Sequence, residues 1–148
     1  MAAMGIPVTI RLIDKPDWPW IKAQASPVLC EDTTGIIAVR NGIRVAAAVF
    51  DSWSPNSCLA HLIIQDPFVL RHGFLHQAFR LVFITRDRGL MTGLTPANNR
   101  KALALNKHIG FREVYRIPDG HKPGIDSVLQ IMIRDECRWL DLPKERAA

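Results

Sequence analysis

The chain has 148 residues, 48% apolar and 22% charged, the size and balance of one folded domain (residues 1–148) with a substantial core, which excludes a disordered polyelectrolyte. No apolar run reaches the roughly 20 residues of a membrane-spanning helix, so no membrane partner is expected. A formal charge of +5 invites a polyanionic partner, but the lysines and arginines are scattered, which argues against a nucleic-acid groove and equally suits a phosphate-rich nucleotide cofactor. Met1-Ala2-Ala3-Met4-Gly5 lacks the basic start and apolar stretch of a secretory leader, so the expectation is a cytoplasmic protein. Cys30, Cys58 and Cys137 show no metal-ligand spacing, so no metal is expected; they read as free, mostly buried thiols.

Residues 8–12 alternate and predict a first strand. Pro16, Pro19 and Pro27 interrupt the next stretch and allow at most a short helix over 20–25. Residues 34–40 and 43–50 are β-rich runs flanking Asn41-Gly42, a strong hairpin signal. A fourth strand is predicted over 57–65, and a helix over 71–85 with Phe74, Ala78, Leu81 and Val82 on one face. Residues 90–95 form a fifth strand. Asn98 or Asn99 then caps a helix through its side-chain oxygen, and Gly110 ends it by relaxing to a left-handed conformation. Strands over 111–117 and 127–133 close the chain around a loop at 118–124. Antiparallel strands, two strand–helix crossovers and a terminal hairpin define an α/β (α+β) class with one mixed sheet and helices on its faces.

The segment Asn99-x-x-Ala102 followed by Gly110-Phe111 resembles the coenzyme A-binding segment of GCN5-related N-acetyltransferases, the GNAT family, and the element order over residues 8–133 resembles that fold. The resemblance implies a mostly antiparallel sheet of about seven strands whose fourth and fifth members splay apart. It further implies acetyl-CoA as cofactor, with Asn99, Ala102 and Asn106 beside its pantetheine and phosphate portion. A second cofactor element is implied where the fourth strand meets its helix, a place for a pyrophosphate. Pro67 and Gly73 stand at the family spacing there, while Leu70 and Leu75 replace the usual Gln/Arg and small residue; Leu70, Arg71, His72, Gly73, Phe74 and Leu75 are the candidate phosphate contacts. Ile63, Ile64 and Gln65 are the candidates for pairing pantetheine like an extra strand.

Members of that family place a glutamate or histidine on the fourth strand as general base, which points to His61; a free imidazole titrates near pH 6.5 and suits proton removal from an amine. The usual acid, a tyrosine four residues before Gly-Phe, is replaced by Asn106. Tyr115, the one tyrosine, reads as a packing residue, with an acid role as the alternative. Trp18 and Trp20, the 51–56 turn and the 118–124 loop would meet the acceptor, with Trp18, Trp20 and Trp53 either an apolar wall or core. Two functions follow from the resemblance: an acyl-CoA-dependent N-acyltransferase acting on an amine-bearing acceptor by direct attack, or a non-catalytic binding or assembly protein of the same fold with a retained or degenerate coenzyme pocket. Open strand edges and the segment around Trp139 allow a homodimer, and the ending from Arg134 to Leu140 resembles that of small acetyltransferase-like proteins of bacteria and phages or prophages.

Overall fold

Seven strands in the order β1-β2-β3-β4-β5-β7-β6 form one sheet. The computed structural model describes residues 7–141, so the segment from Met1 to Gly5, on which the expectation about secretion rests, lies outside the described residues. β1 (Val8–Leu12), β2 (Thr34–Arg40), β3 (Ile43–Asp51) and β4 (Ser57–Ile64) make an antiparallel meander. Its β2–β3 hairpin closes at Asn41-Gly42 with both φ angles positive, 53° and 72°, the mirror-image turn whose twist matches the flanking strands. β5 (Leu90–Pro96) runs parallel to β4, and β6 (Arg112–Lys122) and β7 (Ile125–Ile133) form the closing hairpin.

The helices fall on both faces. α1 (Trp18–Gln24) starts two residues earlier than the prolines suggested, because Pro19 sits in the first turn, where its missing N–H breaks no helix bond. Its Ile21 packs with Ile37, Ala47, Val49 and Ile63 on one face of the sheet. On the other face, α2 (Phe74–Arg80) and α3 (Arg100–Ile109) cover the larger core of Phe50, Phe74, Phe79, Phe83, Met91 and Met132. The expected helix over 71–85 is corrected in two places. Residues Pro67–His72 form a tight 3-10 turn, nucleated where Asp66 accepts the Phe68 amide at 3.0 Å with Pro67 in first position. Gly73, at φ +77°, then breaks the axis, and beyond Arg80 the helix widens into a π turn over Leu81–Thr85.

Three further expectations change. The loop at 118–124 narrows to a turn at Pro123-Gly124, since β6 runs to Lys122; Pro118 is tolerated in an edge strand whose register slips between Ile117 and Lys122. Trp18 and Trp20 pack on the α1 face and Trp53 on the other, so they form no common wall. Cys30 is exposed, Cys58 buried and Cys137 half-buried, all as free thiols. Among the described residues no helix is long and apolar enough to cross a membrane.

The start of α1 is tied down by a buried carboxylate. Asp17 has no solvent exposure and accepts Arg11 through two nitrogens at 2.7 and 2.9 Å, Arg44 Nε at 2.9 Å and the Asp14 amide at 2.7 Å. Those hydrogen bonds, Arg11 first, hold its carboxyl well below the usual range against the opposing effect of burial. A depressed folded-state pKa means stabilisation that is complete above the unfolded value of about 3.9 and is lost as pH falls from there toward the folded value. Asp17→Ala is expected to cost about 3 kcal/mol in urea unfolding at neutral pH. About 1 kcal/mol less should be lost near pH 3; an equal loss at both pH values would assign the effect to packing rather than charge.

Candidate active site

β4 and β5 pair for three registers only, Ser57↔Leu90, Cys58↔Met91 and Leu59↔Thr92. Thr92 Oγ1 donates to the Cys58 carbonyl at 3.2 Å beside the last of them. Beyond this point β4 stays with β3 as far as Ile64↔Ala46, while β5 stays with β7 as far as Pro96↔Ser127, and the two part. Main-chain groups of residues 60–64 that point toward β5 therefore have no ladder partner across the seam. Both strands leave the sheet at the same carboxyl edge, where residues 65–73 lead to α2 and 97–99 to α3. Open sheets bind ligands in such a crevice.

His61 stands on the open stretch of β4, opposite Val49, and shares the α1 face with Ile63. Its Nε2 lies 2.8 Å from Asp51 Oδ2. Asp51 is wholly buried, and the same oxygen accepts the Val28 amide at 2.7 Å, whereas Oδ1 has no partner among the described residues. The imidazole keeps 19% exposure, and no hydrogen bond among the described residues engages Nδ1. Sequence reasoning singled out His61 and missed Asp51. The signal was the hairpin itself, because Asp51 pairs with Leu59 and is the diagonal neighbour of His61 on the same face.

Cys58 lies near this pair in a different state. Burial first, and the negative charge of Asp51 second, push its thiol up to about 12. It stays protonated at neutral pH and is no nucleophile.

The remaining candidates divide among three places. At the exit of β4, Ile63 is buried, Ile64 half-buried and Gln65 exposed, with the Gln65 amide already bonded to the Val45 carbonyl at 2.9 Å. In the following turn Leu70 is half-buried, while Arg71 and His72 are exposed; Phe74 and Leu75 are core residues. A Cβ built on Gly73 would meet nothing within 4 Å, so the backbone there is open to approach. The Phe68 ring beside it lies 4.9 and 5.8 Å from the Arg40 and Arg71 guanidinium carbons and 4.7 Å from the His72 ring, and Arg40 also pairs with Asp66 at 3.3 Å.

On α3, Asn99 is the cap, its Oδ1 accepting the Ala102 amide at 3.2 Å. Asn106 donates through Nδ2 to Thr95 Oγ1 at 3.3 Å and to Gln130 Oε1 at 3.1 Å, both buried. Tyr115 is not a packing residue: it is 61% exposed on the edge strand β6, which β7 separates from β5, and the structure does not bring it to His61. Two surface depressions, of about 470 Å³ beside Arg11 to Asp14 and about 430 Å³ between α3 and β6, are not lined by His61 or Asp51.

No family model and no curated protein sequence matches the chain. Solved structures do. The spermidine N-acetyltransferase SpeG from Vibrio cholerae in complex with CoA and spermine aligns with a TM-score of 0.70 at 11% identity, over 90% of this chain and 98% of that one. The spermidine/spermine N-acetyltransferase SpeG from the same organism, in complex with manganese ions, aligns at 0.68 and 12% identity, over 85% and 92%. The yncA protein of Salmonella typhimurium, solved with its cofactor acetyl-CoA, aligns at 0.61 and 14% identity, over 92% and 99%. What is shared at such identities is architecture, and the seven-stranded sheet with its parallel pair broken between β4 and β5 has the fold of the GCN5-related N-acetyltransferases.

Proposed function

We propose that the chain is an acyl-CoA-dependent N-acyltransferase that moves acetyl from acetyl-CoA to a primary amine by direct attack, with His61 as general base. The carrying observation is that one side-chain base stands on the stretch of β4 whose backbone has lost its ladder partner. Unpaired strand groups suit the amides of a pantetheine arm, an extended chain with its own donors and acceptors. Arg71, and Arg40 with its charge shared with Asp66, bring guanidinium groups to where the phosphates would lie, next to the open backbone of Gly73. Asn99 and Ala102 hold the first turn of α3 at the same edge.

Acetyl-CoA contributes an activated thioester. The protein's part is to orient it and to remove a proton. An alkylammonium carries its charge at neutral pH, so an amine acceptor must lose a proton before its lone pair can attack, and His61, partly exposed and with Nδ1 unengaged among the described residues, is the base proposed to take it. Asn106 cannot donate a proton, but a thiol with a pKa of about 8.5 leaves readily as thiolate, so direct transfer does not require an acid. Cys58, held as a thiol, offers no acyl-enzyme route. An amine acceptor is supported by the spermine held in the SpeG neighbour. The second reading, a coenzyme-binding protein without turnover, is favoured by Asn106, whose amide is engaged by Thr95 and Gln130.

Acetyl-CoA is expected to raise the melting temperature, with a stabilisation of about 2.7 kcal/mol at a hundredfold excess over Kd. A folded protein that shows no shift at millimolar acetyl-CoA would remove both readings. Screening primary amines with a thiol-release assay then separates enzyme from binding protein. His61→Asn should lower kcat by about a hundredfold with Kd for acetyl-CoA nearly unchanged; undiminished turnover would assign the base to another group. Gly73→Asp adds a carboxylate and a Cβ at a left-handed position beside the expected phosphates, and should weaken CoA binding by about 2 kcal/mol. Calorimetry at low salt decides this, since equal affinities would make the loop a mere connector.

A further inference from the structure

We infer that Asp51 is the positioning residue of His61, holding the ring with its proton on Nε2 and Nδ1 as the basic nitrogen. In kinetic terms this rests on the acyltransferase reading; in structural terms it stands on the contact itself.

Three observations carry it. Asp51 Oδ2 accepts the Val28 amide at 2.7 Å, and the ring nitrogen lies 2.8 Å from that same oxygen; an ionised carboxylate can only accept, so toward it the ring nitrogen is the donor. A neutral imidazole that donates through Nε2 has its lone pair on Nδ1, the nitrogen with no hydrogen-bond partner among the described residues, in a side chain that keeps 19% exposure. The carboxylate is wholly buried, no lysine or arginine forms an ion pair with it, and its second oxygen is unpartnered, so the imidazole is the one ionisable group in hydrogen-bond contact with it among the described residues. Proton uptake at Nδ1 turns this contact into an ion pair without moving an atom. Fixing a base through a buried carboxylate behind it removes the alternative tautomer, which would present a proton where a lone pair is needed.

The same oxygen also holds the chain that follows α1. Val28 is bonded to Asp51, and Thr33 Oγ1 donates back to the Val28 carbonyl at 2.6 Å, so one carboxylate sets both the ring and the segment over it. A purely structural Asp51 would need only the Val28 bond.

The test reads the ring directly. In the full-length protein labelled with nitrogen-15, at mildly alkaline pH, His61 should show a protonated Nε2 and an unprotonated Nδ1. Asp51→Asn, close in shape and without the charge, should show mixed tautomers, with kcat for the amine reduced about a hundredfold and KM changed less than about threefold. A proton on Nδ1 in the unsubstituted protein overturns the inference, as does Asp51→Asn with the original ring signature and kcat within about twofold. If Asp51→Asn does not fold, the spectrum of the unsubstituted protein still decides. If that protein turns over no amine, the acyltransferase reading fails, and the ring spectra alone support or overturn the role of Asp51.

Discussion

A parallel ladder that stops at Leu59↔Thr92 is the constraint from which the rest of the molecule follows. Neither strand is free to close the gap beyond it. β4 is held by β3 over six registers and β5 by β7 over seven, and pulling the two together would break those ladders to make fewer new bonds. The right-handed twist of a sheet carries strands apart once they stop pairing. The opening is thus preorganised: its unpaired backbone exists before any ligand arrives, and no conformational change is needed to expose it.

The two faces of the sheet divide the work. The larger core, rich in phenylalanine and reinforced by the edge-to-face contact of Phe79 with Phe111 at 6.2 Å, clamps α2 and α3 and so fixes the carboxyl edge. Arg86 and Arg88 stack on Trp53 at 4.8 and 5.3 Å, and Arg88 bonds the Ser54 carbonyl, which ties the segment after the π turn to the β3–β4 turn. That turn begins at Asp51. A rigid side therefore supports a polar pair on the opposite, thinner side, where α1 contributes one fully buried apolar residue, Ile21. The face that carries His61 keeps partial solvent access while the larger core holds the frame beneath it.

What was legible in the sequence was local. The Asn41-Gly42 hairpin, the Asn99 cap and the alternation of β1 are decided within a few residues, and the fold class follows from element order. The family resemblance brought attention to His61 through its place on the fourth strand. Asp51 escaped because its meaning depends on register across a hairpin, not on spacing along the chain. The sequence marks Gly73 as a candidate phosphate contact, whereas its positive φ also ends one helical axis and begins another, and the Asp66 cap that tightens the preceding turn competes with helix propensity. Tyr115 reads as a packing residue from its place on a strand, whereas β6 lies at the sheet's outer edge, where both faces meet solvent. The 118–124 segment continues as strand through Pro118 because proline is excluded from inner strands and not from outer ones.

The outer edges bear on solubility. β1 is only five residues long, and its Arg11 is drawn to Asp17; β6 carries Pro118, a positive φ at Asp119, and the charges of Arg112, Arg116 and Lys122. Short, charged and kinked edges are poor templates for another protein's strand. The inviting unpaired backbone lies instead inside the sheet, between β4 and β5, where a polypeptide would need room for side chains on both faces while a slender amide-bearing arm would not. The unpaired strand backbone of this protein is therefore kept away from the edges at which another chain's strand would add.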